Sequence, residues 1–203
     1  RTVYFQIFAI IFLSLFFAQS ANALSIITTI HVGTFPIGVA FDSGKGEMFV
    51  ANSITSNVSV IDTDSNTVVA TIPVGLNPYW VAYDSTDGLI FVSNAGANTV
   101  SVIDDRTNTV VGAPIAVGAG ANPFGIAYDS IKGEMFVTNS GTNNVKVIND
   151  STKTVVATIS VGGQPYGAVY DYTKGEIFVS NHFDNTVSII SDSTNTVVGA
   201  PIA

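Results

Sequence analysis

Two histidines, fifteen acidic residues and no cysteine are what this chain offers for building a reactive site. His31 and His182 are too few for an all-histidine metal centre of three or more ligands. No Gly-x-Ser-x-Gly turn is present, so neither a thiol nor a hydrolase-type serine has the setting a nucleophile needs. The stretch Asp62–Thr67 opens like a calcium loop, with Asp62, Asp64 and Asn66 at alternate positions. Its sixth place, a glycine in such loops, is Thr67, and its twelfth, where an acid closes the shell, is Pro73. The counterparts at 104–109, 149–154 and 191–196 keep the turn and lose the ligand set, so all four read as hairpin turns. The expectation is therefore no catalytic residue, no metal ligand and no cofactor. Asn57-Val58-Ser59 and Asn149-Asp150-Ser151 are glycan acceptor triplets, making Asn57 and Asn149 the glycosylation candidates in an exported chain.

Composition narrows the partners. Seven basic residues against fifteen acidic ones give a net charge of -8, with the acids scattered singly. No basic stripe exists to neutralise phosphates, which argues against nucleic acid as a partner. With 47% hydrophobic residues and 11% charged, the chain can bury a core without disulfides. Residues 3–18 are an uncharged apolar run followed by Gln19-Ser20-Ala21-Asn22-Ala23, in which Ala21 and Ala23 fit an A-x-A processing site. The expected organisation is a signal peptide over 1–23, cut after Ala23, and a secreted or cell-surface chain over 24–203. The alternative is an uncleaved membrane anchor, for which sixteen residues are short of the roughly twenty a span requires.

The elements that must position any site come from a repeat. Val-Gly recurs at Val32, Val74, Val117 and Val161, at spacings of 42, 43 and 44 residues. Each repeat carries four short runs rich in β-branched and aromatic residues, in the first case 36–42, 47–52, 57–62 and 67–74, parted by four-residue turns. No run has a period of 3.6. A period near forty with four strands per unit predicts β-propeller blades over 32–73, 74–116, 117–160 and 161–203. The near-identical segments 46–52 and 133–139 are then second strands, repeated because each blade must match its neighbours. Asp42, Asp84, Asp129 and Asp171 end the first strands and read as turn caps, as do Asn52, Asn94, Asn139 and Asn181 after the second strands. Residues 24–31 resemble the fourth strand of a blade, so they read as an orphan strand and the chain as an open four-blade fragment of a larger ring.

The segments 49–75, 91–118 and 136–162 resemble the repeat family named for its Tyr-Val-Thr-Asn tetrapeptide, found in exported and surface-layer propellers of archaea and bacteria. Phe49, Phe91, Phe136 and Phe178 stand where that family has tyrosine, and Ala51, Ser93, Thr138 and Ser180 occupy the third place. The resemblance covers 24–203 and implies a ring of about seven blades and a surface or binding role, without a shared active site.

In a meander of four strands, the loops leading into each blade and those between its second and third strands emerge on one rim. That rim collects Phe35, Tyr79, Trp80, Phe124, Tyr166, His182 and Phe183 with many amides, and the opposite rim holds most of the charge. Trp80 replaces the glycine of its sister repeats, Gly38, Gly125 and Gly167, and His182 replaces Ser53, Ala95 and Ser140. Aromatics beside asparagines suit sugar faces or peptides, so Tyr79, Trp80, Phe124, Tyr166, His182 and Phe183 are the candidate ligand contacts. The expected partners are a cell-wall glycan, a peptide or another surface protein. The plainer reading is that an aromatic beside proline in successive repeats fills the gap between blades. The alternative function is a propeller enzyme or enzyme subunit, lyase or dehydrogenase-like, with its active residues on one rim.

Overall fold

The computed structural model describes residues 27–203, and the leader expected over 1–23 lies outside that range. Four antiparallel sheets follow one another along the chain. The first consists of β1 (Pro36–Asp42), β2 (Glu47–Asn52), β3 (Asn57–Asp62) and β4 (Thr67–Pro73). The second has β5 (Pro78–Asp84), β6 (Leu89–Asn94), β7 (Thr99–Asp104) and β8 (Thr109–Val110), with β9 (Ile115–Ala116) also on β7. The third is β10 (Pro123–Asp129), β11 (Glu134–Asn139), β12 (Asn144–Asn149) and β13 (Thr154–Ser160), and the fourth β14 (Pro165–Asp171), β15 (Glu176–Asn181), β16 (Thr186–Ser191) and β17 (Thr196–Val197). The first strands lie side by side in the order β1, β5, β10, β14, so the sheets are successive blades of a β-propeller arc. Among the described residues the arc does not close into a ring. Residues 27–31 belong to no sheet, and Ile27 is fully exposed.

Strand alternation explains why these runs are apolar on both faces. In β6, Ile90 and Val92 pack back on Phe49, Val58 and Val60 of the first blade, while Leu89 and Phe91 face forward to Met135 and Val137 of the third. The core is thus three layers between blades rather than one centre, the third being Phe136, Val145 and Val147 against Ile177, Val179 and Ile190. At the two ends the same positions lose their cover. Val39 is 50% exposed where its counterparts Val81 and Ile126 are 3%, because among the described residues no blade packs on the outer face of the first.

The turns are of one design. Each four-residue hairpin ends in a left-handed residue, for example Gly46 at φ 70°, Asn98 at φ 56° and Asn66 at φ 54°. Fourth strands depart from expectation in two blades. The second breaks after Val110 and resumes at Ile115, and the fourth retains Thr196–Val197 and one bridge from Val187 to Ile202. Both carry Val-Gly-Ala-Pro, in which Gly112 and Gly199 take φ near 70° and the proline that follows has no N–H for the ladder.

Candidate functional site

The aromatic rim is assembled from two loops per blade that hydrogen-bond to each other. Ser53 N donates to Phe35 O, Ala95 N to Asn77 O, Ser140 N to Asn122 O and His182 N to Gln164 O, at 2.9–3.2 Å. These bonds tie the residue before each proline to the hairpin that follows β2, β6, β11 or β15. Four side chains from this rim form a ladder across three blades. Tyr79 lies 4.4 Å from Phe124, Phe124 4.6 Å from Tyr166, and Tyr166 4.7 Å from His182, measured between ring centroids. The last two pairs are near parallel, at 8° and 15°.

The ladder unites four of the six candidate contacts. Trp80 and Phe183 stand outside it, 41% and 72% exposed. Phe35, at φ 61°, is exposed and does not join it. Tyr79 and Phe124 are half-buried and fill the seam between blades, as the plainer reading of these aromatics expects. Tyr166 and His182 are exposed and border a cleft of about 420 Å³ that Asn181, Asn185, Thr186 and Val187 also line. Trp80 stands where two of its three sister glycines, Gly38 and Gly125, have no room for a side chain. At Gly38 a Cβ would fall 2.7 Å from Trp80 Cα, and at Gly125 3.0 Å from Ala168 N, so those positions are closed by the next blade's backbone. Its backbone keeps the sister blades' bond: Trp80 N donates to Ser93 Oγ at 3.0 Å, as Gly125 N does to Thr138 Oγ1 at 2.8 Å. The glycosylation candidates Asn57 and Asn149 sit half-buried at strand ends, their side-chain oxygens accepting from Asn52 Nδ2 at 2.8 Å and Thr152 N at 2.9 Å.

The asparagines expected as turn caps do something else. Asn94 is fully buried, and its Nδ2 donates to Thr99 Oγ1 at 3.2 Å and Ser101 Oγ at 2.9 Å; Asn52 and Asn181 repeat the pattern on Ser59 and Ser188. They brace the third strand from the second. A Cβ on Gly75 would lie 2.6 Å from Asn94 Cγ, and Gly33 and Gly162 stand in the same relation to Asn52 and Asn181, which gives three of the four Val-Gly signatures a physical reason. The aspartates do cap turns: Oδ1 of Asp42, Asp84, Asp129 and Asp171 accepts backbone N–H two residues on, at 2.8–2.9 Å.

On the charged rim each junction repeats an Asp–Tyr–Asp set that sequence reading did not reveal. Tyr170 OH donates to Asp192 Oδ2 at 3.0 Å, and Tyr128 OH lies 2.9 Å from Thr86 Oγ1 and 3.4 Å from Asp150 Oδ2. Burial, then the charge of Asp42, pushes the Tyr83 phenol up to about 12. Tyr128 and Tyr170 are raised for the same first reason. Burial, then the neighbouring Asp42 or Asp84, raises Asp105 and Asp150 above the usual carboxylate range.

No protein-family model matches the chain, and no curated protein matches it. Among solved structures it is similar to the hydrazine synthase of Kuenenia stuttgartiensis, with TM-score 0.76 and 21% identity over 88% of this chain and 53% of that one. It is also similar to a functionally unknown protein of Desulfotomaculum acetoxidans, with TM-score 0.69 and 18% identity over 81% of this chain and 55% of that one. The chain therefore spans about half the length of these neighbours, and at such identities the likeness establishes the β-propeller fold alone.

Proposed function

We propose that this chain is an exported or cell-surface β-propeller module of the Tyr-Val-Thr-Asn repeat type, which binds a cell-wall glycan, a peptide or another surface protein on its aromatic rim. The observation that carries the reading is the ladder from Tyr79 to His182, whose buried end serves packing and whose exposed end does not. Blade cohesion requires rings between blades, but it does not require an open imidazole stacked on an open phenol beside an amide-lined cleft. A pyranose face or a peptide aromatic can stack on such a surface while asparagine side chains direct its hydroxyls or amides. Trp80 and Phe183 add exposed apolar area on the same rim. The second reading, a propeller enzyme or enzyme subunit, draws on the likeness to hydrazine synthase and would place His182 as the rim's proton-transfer group.

The test is substitution of the exposed positions, Trp80→Gly and His182→Ser, each the residue found in sister blades, with binding to a glycan and peptide panel and thermal stability measured together. Lost binding at unchanged Tm supports the rim as the site. Unchanged binding with a changed Tm assigns both residues to packing and removes the proposal.

A further inference from the structure

The charged rim contains one junction unlike its two sisters. Between the first and second blades, Lys45 Nζ donates to Asp105 O at 2.6 Å and pairs with Glu47 at 2.9 Å. Between the third and fourth, Lys132 Nζ does the same with Asp192 O and pairs with Glu134 at 3.5 Å. An ammonium thus reaches across each of these seams toward an acidic pair, Asp42 with Asp105 and Asp129 with the half-buried Asp192. Between the second and third blades the corresponding residues are Asp87 and Leu89. The place of a lysine is taken by a third carboxylate.

Ligand oxygens from Asp84, Asp87 and Asp150 all lie within 4.8 Å of one another. Asp84 is fully buried and Asp150 is 4% exposed. Asp84 Oδ1 accepts from Thr86 N at 2.9 Å and Asp87 N at 3.2 Å, while its Oδ2 is enclosed and without a hydrogen-bond partner. Asp42 and Asp129 have the same bare oxygen, but in junctions that a lysine reaches. Two cations stand near the second junction. Lys153 Nζ is 3.5 Å from the main-chain oxygen of Asp150, and Arg106 is held by Asp104 at 3.3 Å. Among the described residues neither forms an ion pair with the three carboxylates. A fully buried carboxylate beside two more, with no cation paired to them, is costly unless a positive charge joins it.

We infer that Asp84, Asp87 and Asp150 form a calcium site that fastens the second blade to the third. The donor set is hard oxygen only, which suits Ca²⁺ or Mg²⁺ over the nitrogen- and sulfur-seeking metals. The three ligand atoms lie close enough to share one ion, and a cage of several protein carboxylates suits Ca²⁺, whereas Mg²⁺ keeps most of its own waters. The Thr86 hydroxyl and solvent on the exposed Asp87 side can complete the shell. With three protein carboxylates and an open side, the affinity falls in the class of extracellular modules, with Kd on the order of 10⁻⁴–10⁻³ M. Asp84 and Asp87 come from one blade and Asp150 from the next, so the ion does by coordination what Lys45 and Lys132 do by hydrogen bonding.

The experiment compares Tm in EDTA and in millimolar CaCl2 or MgCl2 at matched ionic strength, for the wild-type chain and for Asp87→Lys, which installs the sister residue. Calcium at about ten times Kd raises the wild-type Tm by about 3–6 °C, magnesium by less than half as much, and the Tm of Asp87→Lys does not depend on calcium. No calcium shift, an equal shift with magnesium, or a shift that survives in Asp87→Lys overturns the site. Should Asp87→Lys fail to fold, calorimetric titration of Asp87→Asn decides: affinity at least tenfold weaker supports the site, and unchanged affinity overturns it.

Discussion

Phe136 and Phe178 occupy the same place in consecutive blades and differ in what lies in front of them. Phe136 is fully buried in the third inter-blade layer, against Ile177, Val179 and Ile190 of the next blade. Phe178 faces forward from the fourth blade onto a surface that Gly167, Val169 and Val187 share, with Val169 62% exposed. Replacing Phe136 by alanine removes a ring from a closed layer and leaves a cavity, at a cost of about 3–5 kcal/mol. Near Tm that corresponds to a fall of roughly 6–20 °C for a chain of this size. Phe178→Ala removes a ring that water already reaches on one side and leaves no closed cavity, so its cost is about 1–2 kcal/mol. Thermal melts of both variants, read by circular dichroism at two protein concentrations, supply the comparison. Equal losses would refute the open-ended arc, because Phe178 would then have to be covered in solution. A Tm that rises with concentration in the wild type and not in Phe178→Ala would identify the cover as a second copy.

Asn94→Ala leaves Thr99 and Ser101 without their shared donor in a buried site, and costs about 1–3 kcal/mol in urea unfolding with little change in m; a neutral result would show that the brace is dispensable. The pH response in EDTA follows from opposed groups. Asp105 and Asp150, raised by burial, contribute stability that is fully present below their unfolded value near 3.8 and is lost as pH rises through their folded values. Asp62, Asp104 and Asp171, held low by hydrogen bonds from Ser65, Arg106 and Thr173, contribute stability that is present above 3.8 and lost as pH falls through theirs. Tm therefore peaks at mildly acid pH, and Asp150→Asn flattens the decline toward neutrality; a maximum at neutral pH that Asp150→Asn leaves unmoved would contradict this account.

What could be read from the chain and what could not divide along a physical line. The first three strands of each blade were legible because alternation and turn chemistry are local: a run such as 47–52 between Gly46 and the turn at 53–56 has one reading. The broken fourth strands were less so, since Val-Gly-Ala-Pro interrupts a ladder whose loss shows only against the partner strand. Tyr79, Phe124 and Tyr166 were placed on one rim by the meander, but their stacking depends on the angle between blades, which no single repeat encodes. Asp150 lies far along the chain from Asp84, and only the step between blades joins them. Yet a signal was present. Comparing repeats position by position singles out Trp80 against glycine, and the same comparison singles out Asp87 against Lys45, Lys132 and Lys174. A residue that packing alone demands recurs in every blade, so in a repeat protein departures from the repeat point to a local role. For Trp80 and His182 that departure adds exposed aromatic surface, and for Asp87 it reverses the charge at a seam. Two exceptions on opposite rims, one apolar and one ionic, can therefore be tested separately in the same chain: a substitution at Trp80 should leave the calcium response intact, and one at Asp87 should leave rim binding intact.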